Sequence, residues 1–241
     1  MSQHQFRRIL FLIFLVHTSG LNAQNVDEAT QQIWIDFLPH FDLTERLSIY
    51  GDVSSRFTLG HFDQTYVIRP SIKFNISSII SANAGFGVFY RKADDLETSE
   101  NRPWLGTRLS WPDIGPLRFK QYLRVENRNF NDRLSNSRFQ ENRLRYQIGT
   151  KLPLNKTAIQ DEAFYIPLAF EWLGTDDKSA GGPNLDQLRM TLGLGHVFNK
   201  VWLLEMVYMN WWNKSAATDS FEPSNQVIRI RLHYRGWVIG E

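Results

Sequence analysis

The sequence contains no cysteine among its 241 residues. It therefore forms no disulfide bonds, and it has no N-terminal cysteine to which a lipid could be attached. If the protein is exported, its stability must come from the fold alone.

Long hydrophobic runs are also missing. The continuous apolar stretch Ile9–Val16 is far shorter than the roughly 20 residues that a membrane-spanning helix needs. Arg7 and Arg8 precede it, and the small residue Ala23 follows it. This order is typical of a secretory signal peptide, so we expect residues 1–23 to be cleaved and residues 24–241 to form the mature domain.

Without the signal peptide, the chain has no excess of positive charge. The chain has 27 Lys and Arg against 25 Asp and Glu, and the signal peptide takes Arg7 and Arg8 with it. The mature chain is then balanced, and no overall positive field argues for nucleic acid as a partner.

Signals of catalysis and of cofactor binding are scarce. Neither a G-x-S-x-G nor an H-E-x-x-H motif occurs, and no ligand cluster has the spacing of a metal site. We therefore assign no catalytic residue, metal or cofactor. One alternative stays open, an enzyme acting on outer-membrane lipids, for which His233 is the best candidate residue.

Apolar and polar residues alternate along most of the sequence. This two-residue period is typical of a β-strand whose two faces differ. Many of these segments reach the 9–11 residues or so that cross a bilayer as a strand. The predicted strands lie near 32–41, 47–57, 64–75, 80–91, 102–111, 117–130, 138–152, 163–173, 186–198, 201–212 and 225–235.

The predicted connections alternate between short turns and longer polar loops, as they do in outer-membrane barrels with periplasmic turns and extracellular loops. The short ones are Asp42–Arg46, Asn75–Ser78, Pro112–Pro116 and Asn199-Lys200. The longer ones are Lys92–Asn101, Asn131–Ser137, Gly174–Leu185 and Asn213–Ser224. Pro153–Glu162 is long although it falls in a short-turn position.

These features predict an all-β protein, a single antiparallel transmembrane β-barrel of about 10–12 strands. Single-chain bacterial barrels have even strand numbers, so ten and twelve strands both remain open, with twelve slightly favoured. To reach an even number, either Gln24–Thr30 adds a strand or one segment does not span, and 32–41 is suspected because it contains Pro39. A soluble periplasmic β-sandwich that binds a ligand explains the strand lengths and the loop pattern less well.

Two predicted strands carry a densely ionic face. In 118–128 the charged residues share one parity, and Leu123 and Val125 share the other. Turned toward lipid, each cation would cost about 2–4 kcal/mol, so the ionic face is expected to line the lumen. The expected lumen-facing residues are Arg118, Lys120, Arg124, Glu126, Arg128, Glu141, Arg143, Arg145, Glu171, Arg189, Arg229 and Arg231.

Tryptophans concentrate near the ends of predicted strands, where outer-membrane barrels carry aromatic girdles at the membrane interfaces. The expected girdle consists of Trp111, Trp172, Trp202, Trp211 and Trp212.

The sequence resembles the bacterial domain of unknown function 2490 (DUF2490) family. The resemblance rests on Ile33-Trp34-Ile35, on the stretches YLRVENR and ENRLRYQIG, on Leu152-Pro153-Leu154, and on the strand Phe164–Trp172 with Glu171. It implies an exported outer-membrane β-barrel over nearly all of the mature chain, and it implies no activity.

The ionic lumen has two interpretations. It is a structural network in which arginines pair with carboxylates and stack on aromatic rings, or it is an anion-preferring path for small solutes. The expected location is the outer membrane. The expected partners are outer-membrane lipid, the barrel-assembly machinery during insertion and a small anionic solute.

Overall fold

Eleven strands make up the fold. A computed structural model describes residues 29–112, 114–177, 182–215 and 217–236; the predicted signal peptide lies outside them. Among the described residues no helix is long and apolar enough to cross a membrane. The strands are β1 (Thr30–Asp42), β2 (Leu47–Thr58), β3 (Asp63–Asn75), β4 (Ile80–Ala93), β5 (Leu96–Ser110), β6 (Lys120–Asp132), β7 (Arg138–Pro153), β8 (Phe164–Asp177), β9 (Gly182–Val197), β10 (Trp202–Lys214) and β11 (Phe221–Gly236).

The strands close into a barrel in sequence order. Each strand pairs antiparallel with the next, and β1 pairs with β11 in parallel, Ile35 beside Ile230. The parallel closure follows from the odd number, because strands that alternate in direction leave the first and the eleventh pointing the same way. The predicted range of 10–12 strands is confirmed. The slight preference for twelve and the all-antiparallel closure are corrected.

The suspected segment 32–41 is a complete strand of this barrel. It forms β1, which pairs with β2 on one side and with β11 on the other. The β1–β2 pairing is interrupted between Phe37 and His40, where Pro39 has no N–H to donate. The proline therefore opens the ladder locally without ending the strand.

The connections fall at two ends. The N-terminal end is the rim where β1 begins and holds 59–62, 94–95, 133–137 and 215–220; the C-terminal end is the rim where β11 ends and holds 43–46, 76–79, 111–119, 154–163 and 198–201. Among the connections that the structure describes, the predicted alternation of lengths is not found. Most of Lys92–Asn101 belongs to β4 and β5, whereas the connection around Pro112–Pro116 runs from 111 to 119. Polar residues at the N-terminal end continue the strands as paired hairpins.

The two faces of the barrel differ sharply. Outward side chains are apolar and exposed, as in Leu105 (68%), Met206 (59%) and Ile68 (58%). Inward side chains are buried, and many are charged: Glu126 and Glu205 have no exposed surface. A closed sheet also pairs every strand edge.

Candidate functional site: the ion-paired lumen

Glu126 lies at the centre of the interior, surrounded by arginines. Its Oε2 accepts hydrogen bonds from Arg143 Nε (2.9 Å) and Nη2 (2.5 Å), and Arg102 Nη1 lies 3.6 Å away. Its Oε1 is ion-paired with Arg124 and lies 4.0 Å from Arg145 Nη1. Register explains the cluster, because Glu126 of β6 stands directly opposite Arg143 of β7 and Trp104 of β5.

Glu100 continues this network toward the N-terminal end. It accepts two hydrogen bonds from Arg102 (2.6 and 2.8 Å) and two from Arg128 (2.8 and 3.2 Å). Arg128 also pairs with Glu141 across the β6–β7 ladder. The guanidinium fork of each arginine is thereby held in a fixed plane.

Glu171 extends the network around the barrel to β8 and β9. It pairs with Arg145, and its Oε2 lies 3.1 Å from Arg189 Nη1. Glu171 stands opposite Gln147 of β7 and Arg189 of β9. One buried carboxylate thus bridges cations from two strands.

A second group lies across the lumen, on β1, β2, β3 and β11. Asp36 accepts hydrogen bonds from Arg229 at 2.9 Å, and Asp52 takes both arms of Arg69 at 2.7 Å. Arg56 forms no ion pair among the described residues and instead lies over the ring of Trp34, 3.8 Å from its centroid. Cation–π contact of this kind is stronger when water is excluded.

Glu205 forms a third group toward the C-terminal end. It lies 2.7 Å from Lys151 Nζ, 2.8 Å from Arg231 Nη1 and 3.1 Å from His233 Nε2. The hydroxyl of Tyr165 donates to the same carboxylate at 2.7 Å. Both of its oxygens are thus engaged by neighbouring side chains.

Aromatic rings fill the space between the ionic groups. The guanidinium of Arg102 lies 3.9 Å from the ring centroid of Phe89, and that of Arg124 lies 4.5 Å from Trp104. The Trp104 ring covers Gly85 so closely that a Cβ there would come within 2.4 Å of it. The small residue therefore makes room for the ring inside the barrel.

Most of the predicted lumen-facing residues meet in these groups. Arg124, Glu126, Arg143 and Glu171 are buried, and six more have partly buried side chains within the ion pairs: Arg128, Glu141, Arg145, Arg189, Arg229 and Arg231. Arg118 and Lys120 differ. Arg118 precedes β6 and Lys120 is its first residue, and both are exposed at the C-terminal end.

Four carboxylates of these groups were absent from the predicted set: Asp36, Asp52, Glu100 and Glu205. Asp36 and Asp52 share the parity of Trp34 and Ser54, so the alternation could have indicated them. Glu100 was placed in a loop because its neighbours are polar, whereas it belongs to β5.

The predicted aromatic girdle is divided between the two faces. Trp111 (44% exposed) and Trp202 (37% exposed) point outward, and Trp172 and Trp212 share the outward parity of their strands. Trp211 points inward, where its ring meets Trp34 edge-on at 5.5 Å. Consecutive residues of a strand face opposite ways, so Trp211 and Trp212 do not both belong to an outer girdle.

The histidines make no catalytic triad among the described residues. His40 Nε2 lies 2.9 Å from Asp42 Oδ1, and Ser48 donates to the same oxygen at 2.6 Å. In a triad the hydroxyl donates to the histidine, whereas here both groups contact the carboxylate. His233 contacts Glu205. Within the described ranges no three His, Asp or Glu residues are grouped as a metal site.

A family model described as "Protein of unknown function (DUF2490)" matches residues 31–222. No curated protein matches the chain.

Three solved structures are similar to the chain at low sequence identity. The KdgM porin has 16% identity and a TM-score of 0.44, covering 72% of this chain and 81% of its own. The anion-selective porin from Comamonas acidovorans has 14% identity and a TM-score of 0.35, covering 78% and 55%. The siderophore receptor PirA from Pseudomonas aeruginosa has 12% identity and a TM-score of 0.29, covering 71% and 35%.

Proposed function

The chain belongs to the DUF2490 family of proteins of unknown function, and on that premise we propose that it is an outer-membrane β-barrel with a filled lumen and a structural role. The proposal rests on the burial of Glu126, whose side chain points into the interior of the barrel and has no exposed surface. Water that entered a continuous channel would reach this carboxylate.

The outer face supports insertion in a membrane. Each strand contributes at least one large apolar side chain that is exposed to the surroundings, from Ile35 in β1 to Ile230 in β11. A soluble monomer rarely exposes a contiguous apolar patch of more than a few hundred Å². A belt that surrounds the whole barrel is therefore best satisfied by hydrocarbon.

The size of the barrel supports a filled interior. Barrels of about eight strands are filled by side chains, and those of 16–18 strands leave aqueous channels. Eleven strands lie between these cases, and here long residues occupy the space: Arg102, Arg124, Arg143 and Trp104 are each less than 10% exposed. Their guanidinium groups pair with carboxylates, which compensates the desolvation of both.

The proposed location is the outer membrane, reached through the predicted signal peptide. Outer-membrane lipid is the proposed partner of the apolar belt. The barrel-assembly machinery is the proposed partner during insertion, because an open intermediate would present unpaired strand edges to lipid.

Conductance in planar bilayers tests the filled lumen. We expect no steady openings from refolded protein whose folding is verified by heat-dependent gel mobility. Replacing the central pair, Glu126→Ala with Arg143→Ala, should create a water-filled gap and measurable openings. The matched control is Asp63→Ala with Arg91→Ala, which removes an ion pair at the N-terminal end (2.8 Å) and leaves the middle filled.

A second candidate function, a narrow anion-preferring pore, is favoured by one observation. The interior holds more arginines than carboxylates, and Arg56 has no ion-pair partner among the described residues. Steady openings of the wild-type protein, with a reversal potential that shows anion preference in a salt gradient, would replace the structural proposal with this one.

A further inference from the structure

A ring of cations surrounds the lumen at its C-terminal end. It consists of Lys73 in β3, Arg108 in β5, Lys120 in β6, Lys151 in β7 and Arg235 in β11. Each lies within two residues of the strand terminus at that end, and each has the parity of the buried inward residues of its strand. Five strands therefore present a positive side chain to the lumen at one level.

Four members of this ring have no carboxylate partner among the described residues. Lys151 pairs with Glu205 at 2.7 Å, whereas Lys73, Arg108, Lys120 and Arg235 form no ion pair within the part of the chain that the structure describes. The four lie close enough together for like-charge repulsion, since Arg108, Lys73 and Arg235 all act on Lys120 electrostatically.

Two carboxylates near these cations, Asp42 and Glu205, are already engaged by other side chains. Asp42 acts on Lys73 at a distance, and it accepts hydrogen bonds from His40 and Ser48. Glu205 contacts Lys151, Arg231, His233 and Tyr165. The opposite rim differs, because its inward arginine Arg91 is paired with Asp63 at 2.8 Å.

The residues opposite the ring are small or polar. Ser48 stands opposite Lys73, Ser81 opposite Arg108, and Gly149 opposite Lys120 in the strand pairing. Arg108 lies over the ring of Tyr122, 5.1 Å from its centroid, which orients the guanidinium. At the rim Lys120 and Arg235 are exposed, and Lys73 and Arg108 are partly buried.

The connection 154–163 adds a pocket on the Arg235 side of this rim. Lys200 contributes a further positive side chain there, and Asp161 a negative one. The pocket is lined by Ile159, Gln160, Asp161, Val197, Asn199, Lys200 and Arg235.

We propose that the C-terminal end of the barrel binds a small multivalent oxyanion of the phosphate class, held by Lys73, Arg108, Lys120 and Arg235. An anion of two or more charges offsets the repulsion between cations that have no ion-pair partner among the described residues, and arginine and lysine are the side chains that recognise such oxygens. The cations face the lumen rather than the outer belt, so a free anion reaches them more directly than a lipid headgroup does. The site goes beyond the proposed structural function and does not require an open channel.

Calorimetric titration of pyrophosphate into the refolded mature chain at low ionic strength tests the proposal. The double variant Lys73→Gln with Lys120→Gln should weaken binding at least about tenfold, the equivalent of about 1.4 kcal/mol. The control Lys92→Gln with Arg138→Gln removes two exposed cations at the opposite end and should leave the affinity unchanged. Lys120 is an exposed first residue of its strand, so Lys120→Gln alone should fold as the wild type does. Its affinity for pyrophosphate should fall in the same direction by a smaller factor.

A second arm separates free anions from lipid headgroups. The protein is placed in nanodiscs of phosphatidylcholine with or without phosphatidylglycerol, and retained lipid is measured by native mass spectrometry. Retention of phosphatidylglycerol that depends on Lys73 and Lys120, without pyrophosphate binding, would assign the same phosphate chemistry to a headgroup. The proposal is overturned if pyrophosphate and phosphatidylglycerol both bind the double variant as tightly as they bind the wild-type protein, or bind neither.

Discussion

At the scale of single residues, the stability of the barrel should depend on a few enclosed carboxylates. Replacing Glu126 with Gln keeps the shape and removes the charge that Arg143 and Arg124 share. Loss of one partner of a buried ion pair typically costs about 3–5 kcal/mol, because the remaining charge is left uncompensated. We expect a loss of this size in the free energy of unfolding, measured by denaturant titration in detergent micelles.

Glu97→Gln is the matched control for this substitution. Glu97 also pairs with an arginine, Arg133, at 3.3 Å, but the Arg133 side chain is 53% exposed. Exposed ion pairs contribute about 0–1 kcal/mol, so the control should change stability little. Equal losses from both substitutions would contradict the view that enclosure makes the central network critical.

The inward direction of these residues could be predicted from the sequence, whereas their pairing could not. Alternation places Arg124, Glu126 and Arg128 on one face, because the pleat leaves no other choice. Which carboxylate meets which arginine depends on the register between paired strands, and some of these strands are far apart in the chain. Asp36 and Arg229 are 193 positions apart and meet because β1 closes against β11.

At the scale of strands, the parallel β1–β11 pair is the feature that sequence reasoning missed. The rule that bacterial barrels have even strand numbers led to suspicion of 32–41, and Pro39 strengthened that suspicion. In the structure β1 tolerates the proline because its ladder with β11 continues past it, with Pro39 beside Tyr234. A parallel pair has evenly spaced, slanted hydrogen bonds and is slightly less stable per residue.

Paired cysteines can test the direction of this closure in a chain that has no native cysteine. In the parallel register Ile35 stands beside Ile230 and Phe37 beside Leu232. We expect Ile35→Cys with Ile230→Cys, and Phe37→Cys with Leu232→Cys, to form intramolecular disulfides under mild oxidation. Gel mobility before and after reduction measures the yield.

The crossed combinations serve as controls for the cysteine pairs. An antiparallel pairing would instead favour disulfides in the variants Ile35→Cys with Leu232→Cys and Phe37→Cys with Ile230→Cys. All four positions carry outward, exposed side chains, so access to the oxidant is matched. Higher yields from the crossed pairs would refute the parallel closure.

The strand ends show a second limit of sequence reasoning. Lys92–Asn101 is rich in polar and charged residues, which favoured a long loop, yet β4 continues to Ala93 and β5 begins at Leu96. Beyond the apolar belt both faces of a hairpin meet water, so the alternation fades while backbone pairing persists. Polarity therefore marks the edge of the belt and does not mark the end of a strand.

At the scale of the whole molecule, the apolar belt should make stability depend on the solvent that the outer face meets. Leu105 lies well inside β5, its side chain outward and 68% exposed. If the belt lies in lipid, Leu105→Arg should cost about 2–4 kcal/mol near the bilayer midplane. If the barrel were soluble, a surface substitution of this kind would change stability by about 0.5 kcal/mol or less.

Leu134→Arg separates these two cases from a general effect of added charge. Leu134 is similarly exposed (63%) but lies in the connection 133–137 at the N-terminal end, outside the belt. Unfolding free energies of both variants, measured after refolding into phospholipid vesicles, should show a large loss for position 105 and almost none for position 134. Equal and small effects would mean that the belt does not face hydrocarbon, and the apolar outer surface would then need a protein partner to cover it.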